Sequence, residues 1–133
     1  MIALVAWEDA VAFEVGDLTP PGTFADLGTH RLYYRCVGKG RPFVIIDSGI
    51  GGAAIEWTDV QARVASFATV CAYDRAGYGW SDPGPSPRTT KRAVAEMRAV
   101  LTAARLAPPY ILVGHSFGGF NANRNCRSRG WPR

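Results

Sequence analysis

A chain of 133 residues and 14.4 kDa has room for one ordinary domain. It is 47% hydrophobic and 20% charged with a mean hydropathy of −0.03, which predicts a packed core and excludes a disordered chain. The net charge of +4 sits in residues 120–133, where Arg124, Arg127, Arg129 and Arg133 stand without an acid; residues 1–119 carry eleven basic and eleven acidic side chains. Despite a pI of 9.3, a neutral body with a short basic end argues against a nucleic-acid-binding face, and no nucleic-acid partner is expected.

No apolar run approaches membrane-spanning length. Glu8, Asp9 and Glu14 interrupt the stretch where a signal peptide would need a basic start and an uncharged middle. A cytoplasmic protein with no membrane partner is expected. Cys36, Cys71 and Cys126 are widely spaced, odd in number and without a CxxC pair, so the expectation is reduced thiols and no metal knot.

In chain order, residues 1–19 form a weakly patterned leader that ends in the entry loop Thr19-Pro20-Pro21-Gly22. Phe24 to Leu27 and Arg31 to Val37 read as strands around the turn Gly28-Thr29-His30, with His30 a solvated residue at the opposite end of the domain from Ser116. Pro42 to Asp47 is a continuous β-branched run, the mark of a strand buried on both faces. Gly49-Ile50-Gly51-Gly52 breaks it.

A helix is predicted from Thr58, capped by its hydroxyl with Gln61 reaching back, and with Val60, Val64 and Phe67 on its inner face. Thr69 to Tyr73 is the next strand, and Asp74 to Pro87 is loop. Ser86 caps a second helix with Pro87 in its first turn, and Val94, Met97, Leu101 and Ala104 line its inner face. Pro108-Pro109 ends it, and Tyr110 to Val113 is a further buried strand. Strands alternating with crossover helices make an α/β pattern.

Gly114-His115-Ser116-Phe117-Gly118-Gly119 follows that last strand directly, the context of a nucleophile elbow. A serine on a sharp strand-to-helix turn has a strained backbone, so the residues two positions away must be tiny: Gly114 and Gly118. Such a turn lifts the Ser116 hydroxyl above the sheet and turns the Phe117 N–H and the following helix N-terminus toward any developing oxyanion.

Three blocks in order carry a resemblance: Asp47-Ser48-Gly49-Ile50-Gly51-Gly52, then Tyr73-Asp74-Arg75-Ala76-Gly77-Tyr78-Gly79-Trp80-Ser81-Asp82, then the elbow at Ser116. Together they make the chain similar to the α/β-hydrolase superfamily over roughly residues 20–122. The resemblance implies an incomplete, mostly parallel sheet of about five strands in the order first, second, fourth, third, fifth, with crossover helices. It also implies Ser116 as the nucleophile toward a small-molecule carboxylic ester or amide, with the Phe117 and Ile50 N–H groups as oxyanion hole and neither cofactor nor metal. Ser48-Gly49 stands where the family often has His-Gly. The loop Asp74 to Asp82 is expected to serve structure, with Asp74 and Arg75 tying it down.

The family's chain order is nucleophile, acid, histidine, yet the seventeen residues after Ser116 contain no Asp, Glu or His. His115, beside the nucleophile, points away as part of the elbow, so impaired activity is expected. A helix after the elbow would turn Asn123, Arg124 and Arg127 inward, a polar face that reads residues 123–133 as a basic tail, truncated or displaced in reading frame. The strand Tyr110 to Val113 would then be an uncovered edge that invites self-association. Two other readings compete. One is a dinucleotide-binding domain, because Gly49 to Ala54 fits G-x-G-x-x-A and Asp74 lies 20 residues beyond Ala54. The other is a hydrolase relic without turnover.

Overall fold

The computed structural model describes residues 19–128. Residues 1–18 of the expected leader and 129–133 of the expected tail lie outside the described residues. Five strands form one sheet: β1 (Thr23–Asp26), β2 (Arg31–Val37), β3 (Phe43–Asp47), β4 (Thr69–Tyr73) and β5 (Tyr110–Gly114), in the order β1-β2-β4-β3-β5. The helices are α1 (Thr58–Val64), α2 (Thr90–Ala103) and α3 (Phe117–Arg127). β1 and β2 form an antiparallel hairpin, β2 runs antiparallel to β4, and β4, β3 and β5 are mutually parallel. This is the incomplete five-stranded α/β sheet that the resemblance implies. None of the helices is long and apolar enough to cross a membrane.

Alternation along the central strands divides the core into two layers. Ile45, Cys71, Tyr73 and Leu32 face Met97, Val100 and Leu101 of α2. On the other face Val44, Ile46, Val70 and Ala72 pack with Ala54 and Ala68, covered by Val64 and Ala65. Val94, Met97 and Leu101 are the buried positions the sequence pattern assigns to α2, with Ala104 packed beside them. That helix starts later than expected, however: Thr89 is the N-cap and accepts from the Arg92 N–H at 3.2 Å, while Ser86 and Pro87 stay in the loop.

α1 turns a different face inward than the apolar pattern suggests. Val60 and Phe67 are exposed, and Gln61 is buried at 1% exposure. The capping box does not form either; the Thr58 hydroxyl donates to the Ile55 carbonyl at 2.7 Å. Gln61 Nε2 instead donates to the carbonyls of Arg35 at 2.9 Å and Val70 at 3.2 Å, joining the helix to β2 and β4. Apolar spacing misled because hydrogen bonding to the sheet outweighs burial of Val60.

α3 likewise departs from its expected phase. Its buried positions are Gly118, Asn121 and Asn125, while Asn123, Arg124 and Arg127 face outward. The inner face is polar because its partners are polar: Arg98 of α2 donates to Asn125 Oδ1 at 2.8 Å, and Asn121 Nδ2 donates to Asp47 Oδ2 at 2.9 Å. The helix therefore continues through Ala122, where the sequence pattern marked a boundary.

Two further expectations are corrected. Cys36 and Cys71 stand directly opposite each other on β2 and β4 and form a disulfide, which leaves Cys126 as the free cysteine. Cross-strand register decides this pairing, and it removes the argument for a cytoplasmic location that rested on three reduced thiols. His30 is buried rather than solvated, and its Nε2 lies 3.2 Å from Glu96 Oε1, with Arg88 on the same carboxylate at 2.7 Å. Because β2 runs antiparallel to β4, His30 lies at the same sheet edge as the C-terminal ends of β3 and β4.

Asp74 closes β4 and organises the loop behind it. With no exposed surface, its carboxylate accepts from the Ala54 N–H at 2.6 Å and the Trp80 N–H at 2.9 Å. Ser81 Oγ donates to its carbonyl and accepts from Tyr33 N–H, and Asp82 pairs with Arg31 at 3.0 Å. The Asp74–Asp82 loop thus does the structural duty expected of it. A ribose could not share a carboxylate so fully engaged, and Ala54 opens a single 3₁₀ turn (Ala54–Trp57) rather than an α-helix N-terminus. Both facts contradict the dinucleotide reading.

Two outcomes are expected. Gln61→Ala strips two sheet carbonyls of their donor and should lower stability in urea unfolding by about 1–3 kcal/mol, whereas Val60→Ala should change it by less than about 0.5 kcal/mol. Burial pushes the Asp74 carboxyl above its ordinary 3.8, against the pull of the Ala54 and Trp80 N–H groups. The folded chain then holds this proton more tightly than the unfolded one. Its contribution favours folding below pH 3.8 and is lost as the pH rises through the raised value. Measured against Asp74→Asn, wild-type stability should accordingly decline as the pH rises above 3.8.

Candidate functional site

β5 hands over to α3 across three residues, and the handover is abrupt. Ser116 is the N-cap of α3 with φ 52° and ψ −117°, one of two non-glycine residues at positive φ among those described. For a residue with a side chain this conformation costs about 1–3 kcal/mol and persists only where its surroundings impose it. The imposing contacts are backbone on backbone. A Cβ on Gly114 would lie 2.5 Å from the Gly118 carbonyl and the Gly119 nitrogen, and one on Gly118 would collide with the Asp47 carbonyl oxygen. His115 N–H donates to the Asp47 carbonyl at 3.0 Å, and Gly118 and Gly119 donate to His115 and Ser116 at 2.9 Å each.

Helix starts leave N–H groups without intrahelical partners. Phe117 N–H is one; neither it nor the Ile50 N–H, in the loop after β3, donates within the chain among the described residues. The two segments touch: a Cβ on Gly49 would sit 3.3 Å from Ser116 Cβ. Ile50 and Phe117 also share the wall of a pocket of about 150 Å³ with Arg75, Tyr78, Arg88 and Ala93. Ser116 itself opens on a shallow trough beside Phe120, Asn123 and Arg127.

The structure therefore gathers Ser116, Phe117, Ile50, Gly114 and Gly118 at one sheet edge. It does not gather a base. His115 turns its ring onto Gly49, 6.4 Å from the Trp57 ring, and His30 is engaged with Glu96 and Thr29. Among the described residues no hydrogen bond joins Ser116 Oγ to either imidazole, and no group of His, Cys, Asp and Glu is arranged to hold a metal ion.

Beneath the edge lies a buried charged cluster of which the sequence pattern marked only parts. Arg75, 5% exposed, donates from Nη1 to Asp47 Oδ1 and to the Ser48 carbonyl, each at 2.5 Å, and from Nη2 to the Gly49 carbonyl. Its guanidinium also lies over the rings of Tyr78 at 5.1 Å and Phe117 at 5.4 Å. Asn121 holds the other Asp47 oxygen. Burial pushes the Tyr73 hydroxyl well above its usual value, and the Asp47 carboxylate beside it adds to the effect. Asn121 went unmarked because it belongs to no motif; counting three residues on from Gly118 would have found it.

Comparison with known proteins agrees with this architecture. The alpha/beta hydrolase family model matches residues 43–131. The chain is 36% identical over 100 residues to the probable transporter efuK of Hormonema carpetanum, covering 71% of this chain and 14% of that protein. It is 33% identical over 96 residues to a putative carbamate hydrolase, RutD, of Azorhizobium caulinodans, covering 72% of this chain and 36% of the relative. An alpha/beta hydrolase fold protein from Burkholderia ambifaria superposes with a TM-score of 0.71 at 26% identity, over 85% of this chain and 41% of that one. The enol-lactonase from Burkholderia xenovorans shares the fold with a TM-score of 0.69 at 22% identity, over 74% and 39%. The chain thus spans well under half the length of these relatives. A strained serine at the β5–α3 handover, this sheet order and a family match over two thirds of the residues lead to one assignment: the chain belongs to the alpha/beta hydrolase family.

Proposed function

We propose that this chain carries the nucleophile and oxyanion-binding part of a hydrolase for small-molecule carboxylic esters or amides. The observation that carries the reading is Ser116, held at positive φ at the start of α3, where the adjoining Phe117 N–H donates to nothing in the described chain. In this reading Ser116 Oγ attacks the substrate carbonyl carbon, and the Phe117 and Ile50 N–H groups donate hydrogen bonds to the oxyanion that develops. Fixed donors stabilise such an oxyanion without having to reorganise as water does. Solvent carries the serine proton to the departing alcohol or amine, and water then hydrolyses the acyl-serine to the free acid and restores the hydroxyl. Carbamate carbonyls undergo the same attack, which fits the similarity to the carbamate hydrolase.

Serine needs a base to take its proton, and an acid to orient that base. Both imidazoles of the chain are turned elsewhere, so impaired turnover is part of the proposal. A fluorophosphonate should form one adduct per chain, at Ser116, and Ser116→Ala should form none. Wild-type p-nitrophenyl acetate hydrolysis should exceed that of Ser116→Ala by about tenfold, far below the rate of a complete triad. Equal rates with no adduct would instead favour a relic that binds without turnover.

A second proposal concerns β5, which among the described residues pairs with β3 alone and leaves Ile111 and Val113 at 50% and 38% exposure. Its unpaired backbone edge and apolar side chains favour self-association. Sedimentation should find dimers or larger species, and Ile111→Lys should shift them toward monomer.

A further inference from the structure

The buried cluster of Asp47, Arg75 and Asn121 lies below the Ser116 turn and touches both segments that bear the candidate donors. A guanidinium is a planar fork with several N–H donors, and Arg75 spends them on three oxygens in succession: the Asp47 carboxylate and the carbonyls of Ser48 and Gly49. The Gly49–Ile50 peptide is not among the cis bonds, so its N–H points opposite to its C=O. Drawing the Gly49 carbonyl toward Arg75 therefore directs the Ile50 N–H away from Arg75. Gly52 N–H binds the same carbonyl at 3.2 Å and reinforces that orientation.

The same carboxylate reaches the second donor. Asp47 Oδ2 accepts from Asn121, one turn along the helix whose first residue is Phe117. Asp47 thus links the loop, through Arg75, to the helix, through Asn121. We propose that Asp47, Arg75 and Asn121 are positioning residues that jointly aim the Ile50 and Phe117 N–H groups at one oxyanion. The inference rests on the reading of Ser116 as nucleophile.

The test separates orientation from chemistry. In the full-length ¹⁵N-labelled chain, residual dipolar couplings report the directions of the Ile50 and Phe117 N–H bonds, and the rate of fluorophosphonate labelling reports their use. Arg75→Lys keeps a cation beside Asp47 but cannot hold all three oxygens, so the Ile50 coupling should change while couplings in β3 and β4 stay. Asn121→Ala should change the Phe117 coupling in the same selective way, and serves as the milder variant if Arg75→Lys does not fold. Each variant should label about tenfold more slowly than wild type, with Ser116→Ala keeping both couplings and losing the label. Unchanged couplings in both variants would overturn the proposal, as would changed couplings with an undiminished labelling rate. A wild-type chain that takes no label would refute the nucleophile reading, and the couplings would still decide whether the cluster orients the two donors.

Discussion

The approach of α3 to the end of β3 is the contact on which the rest of the site depends. Gly118 lies so close to the Asp47 carbonyl that no side chain fits between them, and a side chain on Gly114 would likewise collide with the first turn of the helix. These contacts leave the chain between β5 and α3 too little room for a relaxed turn, which is why Ser116 adopts φ 52°. The strain is local, and the surrounding packing imposes it. A helix brought this near the sheet also brings its unpaired N-terminal N–H groups to the edge where the loop after β3 emerges.

Such closeness puts polar groups where water cannot reach, and Asp47 and Arg75 answer that need. Burying an ion pair costs about as much in lost hydration as its attraction returns, so its presence is weak evidence of added stability. Its hydrogen bonds are more telling. Arg75 satisfies two loop carbonyls and Asn121 satisfies the second carboxylate oxygen, so the charges are retained within a bonded network. The second buried group, His30 with Glu96 and Arg88, fastens the β1–β2 turn to α2 in a comparable way. Polar bonds thus join the loop after β3, α3 and the β1–β2 turn to their neighbours around the edge.

Among the described residues β1 and β5 are the two edges of the sheet, each with one neighbour. The Asp74 loop is tied to β2 through Tyr33 and Arg31, whereas β5 exposes the apolar side chains of Ile111 and Val113. Relatives of which this chain spans 14–36% share its sequence over most of its own length. The edge that bears the Ser116 turn thus comes as one contiguous segment of the family's fold, near one end of the sheet order.

How much of this was legible in the residues depends on which force acted. Continuous apolar strands, the glycine spacing around Ser116 and the three family blocks are local patterns, set by backbone sterics and burial, and they sufficed for strand positions, sheet order and family. Asn121, Gln61 and His30 were misread or missed because each is a polar side chain whose burial is decided by a partner between 9 and 74 residues away. Hydropathy spacing places such residues outside, and only the assembled sheet supplies the carbonyl or carboxylate that draws them in. The Cys36–Cys71 pairing is of the same kind: odd cysteine count argued for free thiols, and antiparallel register put two of them face to face. From its sequence alone the chain determined where it bends and which apolar residues the central strands and α2 bury. Tertiary structure alone decided which polar groups meet, because hydrogen bonds across a sheet depend on distance in space and leave no period along the chain.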